Sequence, residues 1–419
     1  MRVLKFGGSS LAARAALAEV PAIVDRARRR GPVVVVVSAL AGVTDSLAAA
    51  SEMAGAGVVE MVEQRYRRAL AFVTDGRGDQ EAEVALGEVF QALARDLGAG
   101  DPGSRGLALA IPPAARRDAI LAAGERASVA LVTAVLRHRG LTALPFPRPP
   151  IVTDSSFGDA VVDRAATRQQ AQQDLGRAPA RTIPVVAGFL GRDRQGRTTT
   201  LGRNGSDYSA ALLAGFLDAQ QLEIWSDVDG LLSADPGIVP EAQSLGSLSY
   251  WEAQSLADAG ARVLDRRTLR ALRGRALPVV LRNALRVAHP GTRILPGQDR
   301  LRKPAFGLIS GFRRRPVEAS EALPPGGWLM RTAAGTRLLA EAAPDGDGDH
   351  SLLVALGPGA EVDGLRRLLE LDDYPVSAWC GGPIVRLLVP TKAARSALRS
   401  LHRAVRGAAL RSLGAASGG

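Results

Sequence analysis

Cysteine is nearly absent from this 419-residue chain. Cys380 stands alone, which excludes a disulfide framework and any metal site built from thiolates. Aromatic residues make up only 4%, and no basic stripe interleaves with them. The stacking platform of a nucleic-acid binder is therefore missing despite a net charge of +11. The arginines are scattered along amphipathic segments such as 12–30 and 113–139, as a compositional preference scatters them. No apolar run approaches a membrane span, since stretches such as Val33–Val37 are strand-sized. The first residues read as a strand rather than a cleaved leader, so the expected setting is a reducing cytoplasm, with neither nucleic acid nor membrane as partner. The four histidines (His138, His289, His350, His402) show no metal-ligand spacing, and no nucleophile elbow accompanies them.

Lysine is scarce as well. Among 53 basic residues, the first lysine is Lys5 and the next is Lys303, with Lys392 after it. None follows a glycine, so the Gly-x-x-x-x-Gly-Lys phosphate loop is absent. Lys5 ends a strand-like run and enters Phe6-Gly7-Gly8-Ser9-Ser10. An ammonium group is a compact point charge that reaches a single phosphoryl oxygen more closely than a planar guanidinium does. Gly7 and Gly8 let the backbone approach an anion, and a helix opening near Ser10 points its positive end the same way. A coincidental lysine at a strand edge is the plainer alternative.

Length and 46% apolar content predict two domains, or one large domain with an appendage. Strand-like and helical runs alternate: residues 1–6, a helix to 30, Val33 to Ser38, helices between 45 and 97, and a long helix from Pro113. That alternation predicts an α/β sheet with crossover helices. Further strands are expected at 151–153, 182–187, 222–225 and 279–282, with a hairpin turn at Asp193-Arg194-Gln195-Gly196-Arg197. The segment 298–307 is the expected domain boundary. After it the periodicity predicts strands at 351–356 and 384–389 and helices at 362–371 and 392–405, a small βαβ module. Residues 306–343 read as irregular, and order is expected to end at Ser412.

Leu201-Gly202-Arg203-Asn204-Gly205-Ser206-Asp207 opens an alanine-rich helix and forms a second anion cradle holding one arginine and one carboxylate. Arg203 suits bidentate capture of a carboxylate, and Asp207 suits holding Lys5 or organising a magnesium–phosphate cluster. An ordinary N-cap at Ser206 or Asp207 accounts for the same residues. Ser226, Asp227 and Asp229 follow a strand, where acidic groups meet a nucleotide or simply form a solvated turn. Ser38, with Thr44 six residues on, supplies hydroxyls at another strand end, as Ser9 does. Glu125, read alone, belongs to the charged outer face of a helix.

Taken together, Lys5 to Ser10, Val37-Ser38-Ala39 with Thr44, Gly124-Glu125, Gly188-Phe189, Leu201 to Asp207 and Ile224 to Gly230 resemble the aspartokinases in order and spacing, over about residues 1–295. The likeness is to the kinase portion of the threonine-sensitive type fused to homoserine dehydrogenase. The resemblance implies an amino-acid-kinase fold, a three-layer α/β sandwich over residues 1–298, with an ACT-like regulatory part at 305–411 and a tail at 412–419. It implies transfer of the ATP γ-phosphoryl group to the β-carboxylate of L-aspartate, the first step toward lysine, threonine and methionine, with magnesium on the phosphates. It also implies a homodimer with an amino-acid effector. Carried over by residue, Lys5 and Asp207 are catalytic; Ser38, Thr44, Glu125, Arg203 and Ser206 hold aspartate, Glu125 at its ammonium and Arg203 at its α-carboxylate. Lys5, Gly7, Gly8, Ser9, Ser226, Asp227 and Arg262 face the nucleotide.

The nucleotide side departs from the family. Ser226 replaces a threonine, Leu232 a tyrosine and Gly237 an arginine, while Arg262 replaces a lysine and Asp265 a histidine. Loss of one charge-assisted phosphate contact costs about 1.5–3 kcal/mol, a tenfold to hundredfold weakening of ATP. Weak turnover is the expectation. Two alternatives stand beside it: a non-catalytic amino-acid sensor or partner subunit of the same fold, and a kinase for another amino-acid carboxylate.

Overall fold

The computed structural model describes residues 1–52, 57–98, 112–177, 181–258, 264, 266–272, 274–275, 277–297, 305–316, 328–331, 337–342, 350–356, 378–380 and 384–416. In chain order the elements are β1 (Arg2–Phe6), α1 (Gly8–Ala12), α2 (Arg14–Arg28), β2 (Val33–Val37), α3 (Val43–Glu52), α4 (Val58–Val73), α5 (Gln80–Asp96) and α6 (Pro113–His138). β3 (Ala143–Phe146), α7 (Arg164–Asp174), β4 (Ile183–Ala187), β5 (Leu190–Arg192), β6 (Thr198–Thr200), α8 (Gly205–Phe216) and β7 (Gln221–Ser226) follow. The rest are β8 (Ser247–Ser249), α9 (Tyr250–Asp258), α10 (Arg266–Ala271), β9 (Val279–Asn283), β10 (Thr292–Leu295), β11 (Ala305–Pro316), β12 (Trp328–Arg331), β13 (Arg337–Ala342), β14 (His350–Leu356), β15 (Ala378–Cys380), β16 (Ile384–Pro390) and α11 (Thr391–Ala416).

The chain divides into two compact units, and the division crosses it three times. The first comprises 1–229 and 267–293, the second 230–266 and 294–419. Within the first, strands run in the order β3-β4-β2-β1-β7-β9, every neighbouring pair parallel. Parallel strands are covered on both faces and so read as continuous apolar runs. Val33 to Val37 are all buried accordingly. The register aligns Phe6 with Val37 and Trp225, and Val37 with Ala187. The carboxyl ends of β4, β2, β1 and β7 thus lie side by side.

Helix α6 has proline at its first turn and Arg137 and His138 in its last, which complement the macrodipole. By length and composition it could cross a membrane, contrary to the reading that no run approaches that length; 89% of its apolar window is buried in the protein, as suits a core helix. The helix expected over 12–30 forms as α2, and a separate short α1 precedes it, because Ala13 adopts an extended conformation between the two. The strand expected at 151–153 reduces to isolated bridges from Val152 to Arg192 and Thr153 to Val162. The hairpin forms as read: β5 and β6 pair antiparallel, and Asp193 Oδ1 accepts the amides of Gln195 and Arg197 across the turn.

In the second unit, strands follow the order β12-β13-β11-β14-β16-β15, all antiparallel rather than part of a βαβ unit. Residues 306–343, read as irregular, contribute β11, β12 and β13. The helix expected at 362–371 lies outside the described residues. Helix α11 runs on to Ala416, past the Ser412 where order was expected to end. Its core joins Ile238 and Val239 to Phe306, Leu353, Leu398 and Leu401. Phe306 N donates to Ser233 O, and Arg399 Nε to Ile238 O. Ser233 Oγ lies 3.0 Å from His402 Nε2.

Candidate active site

Lys5 occupies the next-to-last position of β1 and is 8% exposed. Its Nζ lies 2.5 Å from Oδ1 of Asp207, in the first turn of α8. The two cradles read from sequence therefore converge, although 202 positions separate them in the chain. Removing one partner of a buried ion pair costs about 3–5 kcal/mol, because the other charge is left without compensation. The N-cap of α8 is Asn204, in the left-handed region at φ 54°, without a side-chain cap bond. The capping alternative for Ser206 and Asp207 thus falls away. Phe189 is also left-handed, φ 66°, and its amide is held by Ser209 Oγ of α8 at 3.0 Å. Such conformations cost energy and persist only where surrounding contacts impose them.

The glycines act differently from the simple cradle. Gly7 N donates to Trp225 O at 2.9 Å, so that amide belongs to the sheet rather than to an anion. Gly8 is required by close approach: a Cβ there would sit 2.4 Å from Ala39 O. Gly188 N donates to Val37 O, and a Cβ at Gly188 would meet Ser206 Cβ at 2.8 Å. Small residues thus draw the ends of β1, β2 and β4 and the start of α8 together.

Glu125 is not on an outer helix face. It is 3% exposed, Oε1 accepts the amide of Ala39 at 3.0 Å, and Oε2 has no hydrogen-bond partner among the described residues. Burial pushes its pKa up to about 8, while the Ala39 and Glu125 amides and the nearby Lys5 charge pull the other way. A buried acid with one free oxygen is placed to receive a cation. Tyr66 braces the same corner: its hydroxyl donates to Gly124 O at 2.7 Å, accepts from Leu40 N at 3.1 Å and lies 3.0 Å from Ser128 Oγ. Burial raises the Tyr66 pKa, so the phenol stays neutral.

Ser38 and Thr44 are half-buried beside the Ala39 corner, and Ser206 is 8% exposed. Arg203 is exposed. At the end of β7, Ser9 Oγ donates to Asp227 Oδ1 at 3.0 Å, while Ser226 O accepts Ala284 N. Asn283 Nδ2 donates to Asp229 Oδ1 at 2.9 Å, and Arg286 pairs with Asp229. Arg262 and Asp265 lie outside the described residues. Sequence reasoning passed over Tyr66, Asn283, Asp118 and Arg267. Tyr66 falls in the apolar stripe of α4 with Val62, Leu70 and Val73, where nothing marks a functional hydroxyl. Asp118 carried one usable signal, an acid seven positions before Glu125 on a predicted helix.

Residues 1–283 match the amino acid kinase family. A bifunctional aspartokinase/homoserine dehydrogenase of Haemophilus influenzae is 31% identical over 301 residues, 70% of this chain and 36% of that protein. An aspartokinase of Corynebacterium glutamicum is 40% identical over 188 residues, 44% of this chain and 43% of that one. The match spans less than half the length of these two curated relatives. Among solved structures, Escherichia coli aspartokinase III in complex with aspartate and ADP superposes with a TM-score of 0.76 at 25% identity, over 96% of this chain and 99% of that one. Clostridium acetobutylicum aspartate kinase, at 19% identity and TM-score 0.75 over 97% of this chain, shares the fold.

Proposed function

The chain belongs to the amino acid kinase family, and from that premise we propose that it is an ATP-dependent aspartate kinase. A β-carboxylate oxygen of L-aspartate attacks the γ-phosphorus, the bond to the β-phosphate bridging oxygen breaks, and 4-phospho-L-aspartate and ADP leave. Phosphoryl transfer asks for positioning and charge neutralisation rather than a covalent nucleophile. Lys5 supplies the positive charge at the transferring group, and Asp207 holds its ammonium in place. Glu125 takes the substrate ammonium on Oε2, Arg203 takes the α-carboxylate, and Ser38, Thr44 and Ser206 set the remaining contacts. Gly7, Gly8, Ser9, Ser226, Asp227 and Arg262 make the nucleotide side. Magnesium travels with the triphosphate, bound through its phosphate oxygens.

The observation that carries the reading is the 2.5 Å pairing of Lys5 with Asp207, beside a buried acid with one oxygen free. The wider reading includes a cytoplasmic homodimer at the head of lysine, threonine and methionine formation, with residues 305–411 as an ACT-like effector part. Hydroxylamine trapping tests the chemistry: aspartate and magnesium-ATP are expected to give hydroxamate, and Lys5→Ala to lower its rate about a hundredfold. No hydroxamate from aspartate, or a rate untouched by Lys5→Ala, rejects the proposal.

One observation favours a second reading, a non-catalytic amino-acid sensor. Gly237 offers no cation, and its amide closes on Asp235 Oδ1 at 2.8 Å in a local turn. A sensor takes up aspartate in calorimetry and gives no heat with magnesium-ATP.

A further inference from the structure

We propose that Asp118 and Arg267 clamp the loop from Leu201 to Asp207 and thereby position Arg203 for the substrate α-carboxylate; both are positioning residues, and the inference rests on the aspartate-kinase reading.

Asp118 lies on α6, 1% exposed. Its Oδ2 accepts the amides of Thr200 at 2.7 Å and Gly158 at 3.0 Å, and its Oδ1 accepts Thr200 Oγ1 at 2.9 Å. A core helix would be more simply filled by alanine or leucine, since a buried carboxylate is costly until its oxygens are bonded. Each of these bonds goes to one of two segments outside its own helix. Thr200 is the last residue before the loop.

On the other side, Arg267 Nη1 donates to Leu201 O and to Asp159 Oδ1, each at 2.8 Å, and Nη2 donates to Arg203 O. Asp159 follows Gly158, so the two halves of the clamp meet through adjacent residues. Bonds within the loop, Gly205 N to Gly202 O at 3.0 Å and Asp207 N to Asn204 O at 3.1 Å, close its own turns, while Asp118 and Arg267 tie its flanks to the segments around it. Gly202 is left-handed at φ +70°, and a Cβ on it would lie 2.5 Å from Asp159 Oδ1.

Seven residues separate Asp118 from Glu125, two helical turns, so both point along one stripe of α6. The acid proposed for the substrate ammonium and the acid that pins the carboxylate-binding loop are thus mounted on one rigid element. Helix α6 sets the spacing between the two ends of the substrate.

Hydrogen exchange and steady-state kinetics on the full chain test this. In Asp118→Ala the backbone segment 200–208 is expected to exchange about tenfold faster, and KM for aspartate to rise about tenfold, with KM for magnesium-ATP within about twofold. Asp118→Asn is expected to restore both to within about threefold, because its amide oxygen can replace Oδ2 and its Nδ2 can donate to Thr200 Oγ1. In an Arg203→Ala background, Asp118→Ala adds nothing further to KM for aspartate. Where Asp118→Ala does not fold, Arg267→Met, at the exposed side of the loop, carries the same expectations. Unchanged exchange over 200–208, equal rises in both KM values, or full additivity with Arg203→Ala overturns the clamp. Failure of the kinase reading is seen separately, as no hydroxamate from the parent chain, and the exchange comparison then still decides the clamp.

Discussion

Glu125 holds its proton to about pH 8 because its carboxyl is buried on α6, so at neutral pH the free protein presents a neutral acid where the substrate ammonium is proposed to bind. Aspartate binding then draws off a proton. KM for aspartate is expected to fall as pH rises from 6 toward 8, and calorimetry in buffers of different ionisation enthalpy should register the released proton. The sign for stability is opposite. Between its ordinary value of 4.5 and about 8, the folded form keeps a proton that the unfolded chain gives up, so stability drops as pH rises through that window. Glu125→Gln should flatten that contribution in denaturation curves across pH and weaken aspartate. Lys5 was legible in the sequence because lysine is so rare there. Glu125 was legible only through the resemblance and not from its own helix, since it packs against the Ala39 amide 86 positions away and charge on a helix ordinarily points outward.

At the scale of elements, α6 depends on a glycine that helix propensity disfavours. Replacing a mid-helix glycine with alanine ordinarily gains up to about 1 kcal/mol. A Cβ at Gly124 would meet Ala39 Cβ at 2.6 Å and Val43 Cγ1 at 3.1 Å, within packed core. Overpacking of that kind costs about 1–3 kcal/mol, so the clash wins. Gly124→Ala is expected to lower the urea midpoint, and Ala39→Gly in the same chain to recover part of the loss. The buried parallel strands were readable as apolar runs of five or six residues, and the β5–β6 hairpin as turn chemistry. The break at Ala13 was not, since neither glycine nor proline marks it; nor were β11 to β13, whose strand character is settled by pairing rather than by alternation.

For the whole molecule, the composition points to a boundary at 298–307, while the compact units divide at 229/230, 266/267 and 293/294; the allegiance of 230–266 is not legible in the sequence, because long-range packing decides it. Ile238 and Val239 are buried with Phe306, Leu398 and Leu401. Burying such a side chain is worth about 1.5–3 kcal/mol. A fragment of residues 1–298 is therefore expected to melt below the full chain and to bind a hydrophobic dye, which thermal denaturation with dye fluorescence would measure. A fragment as stable and dye-silent as the parent contradicts this account.

The insertion of 230–266 between β7 and β9 leaves the latter strand on the far side of a possible cut. A chain severed between Asp229 and Gly230 would yield two polypeptides whose only route to a complete parallel sheet is each other, since β9 of the downstream piece pairs along β7 of the upstream one from Leu222 to Ser226. The protein thus carries a natural split point, at which separately expressed halves are expected to reconstitute by strand complementation.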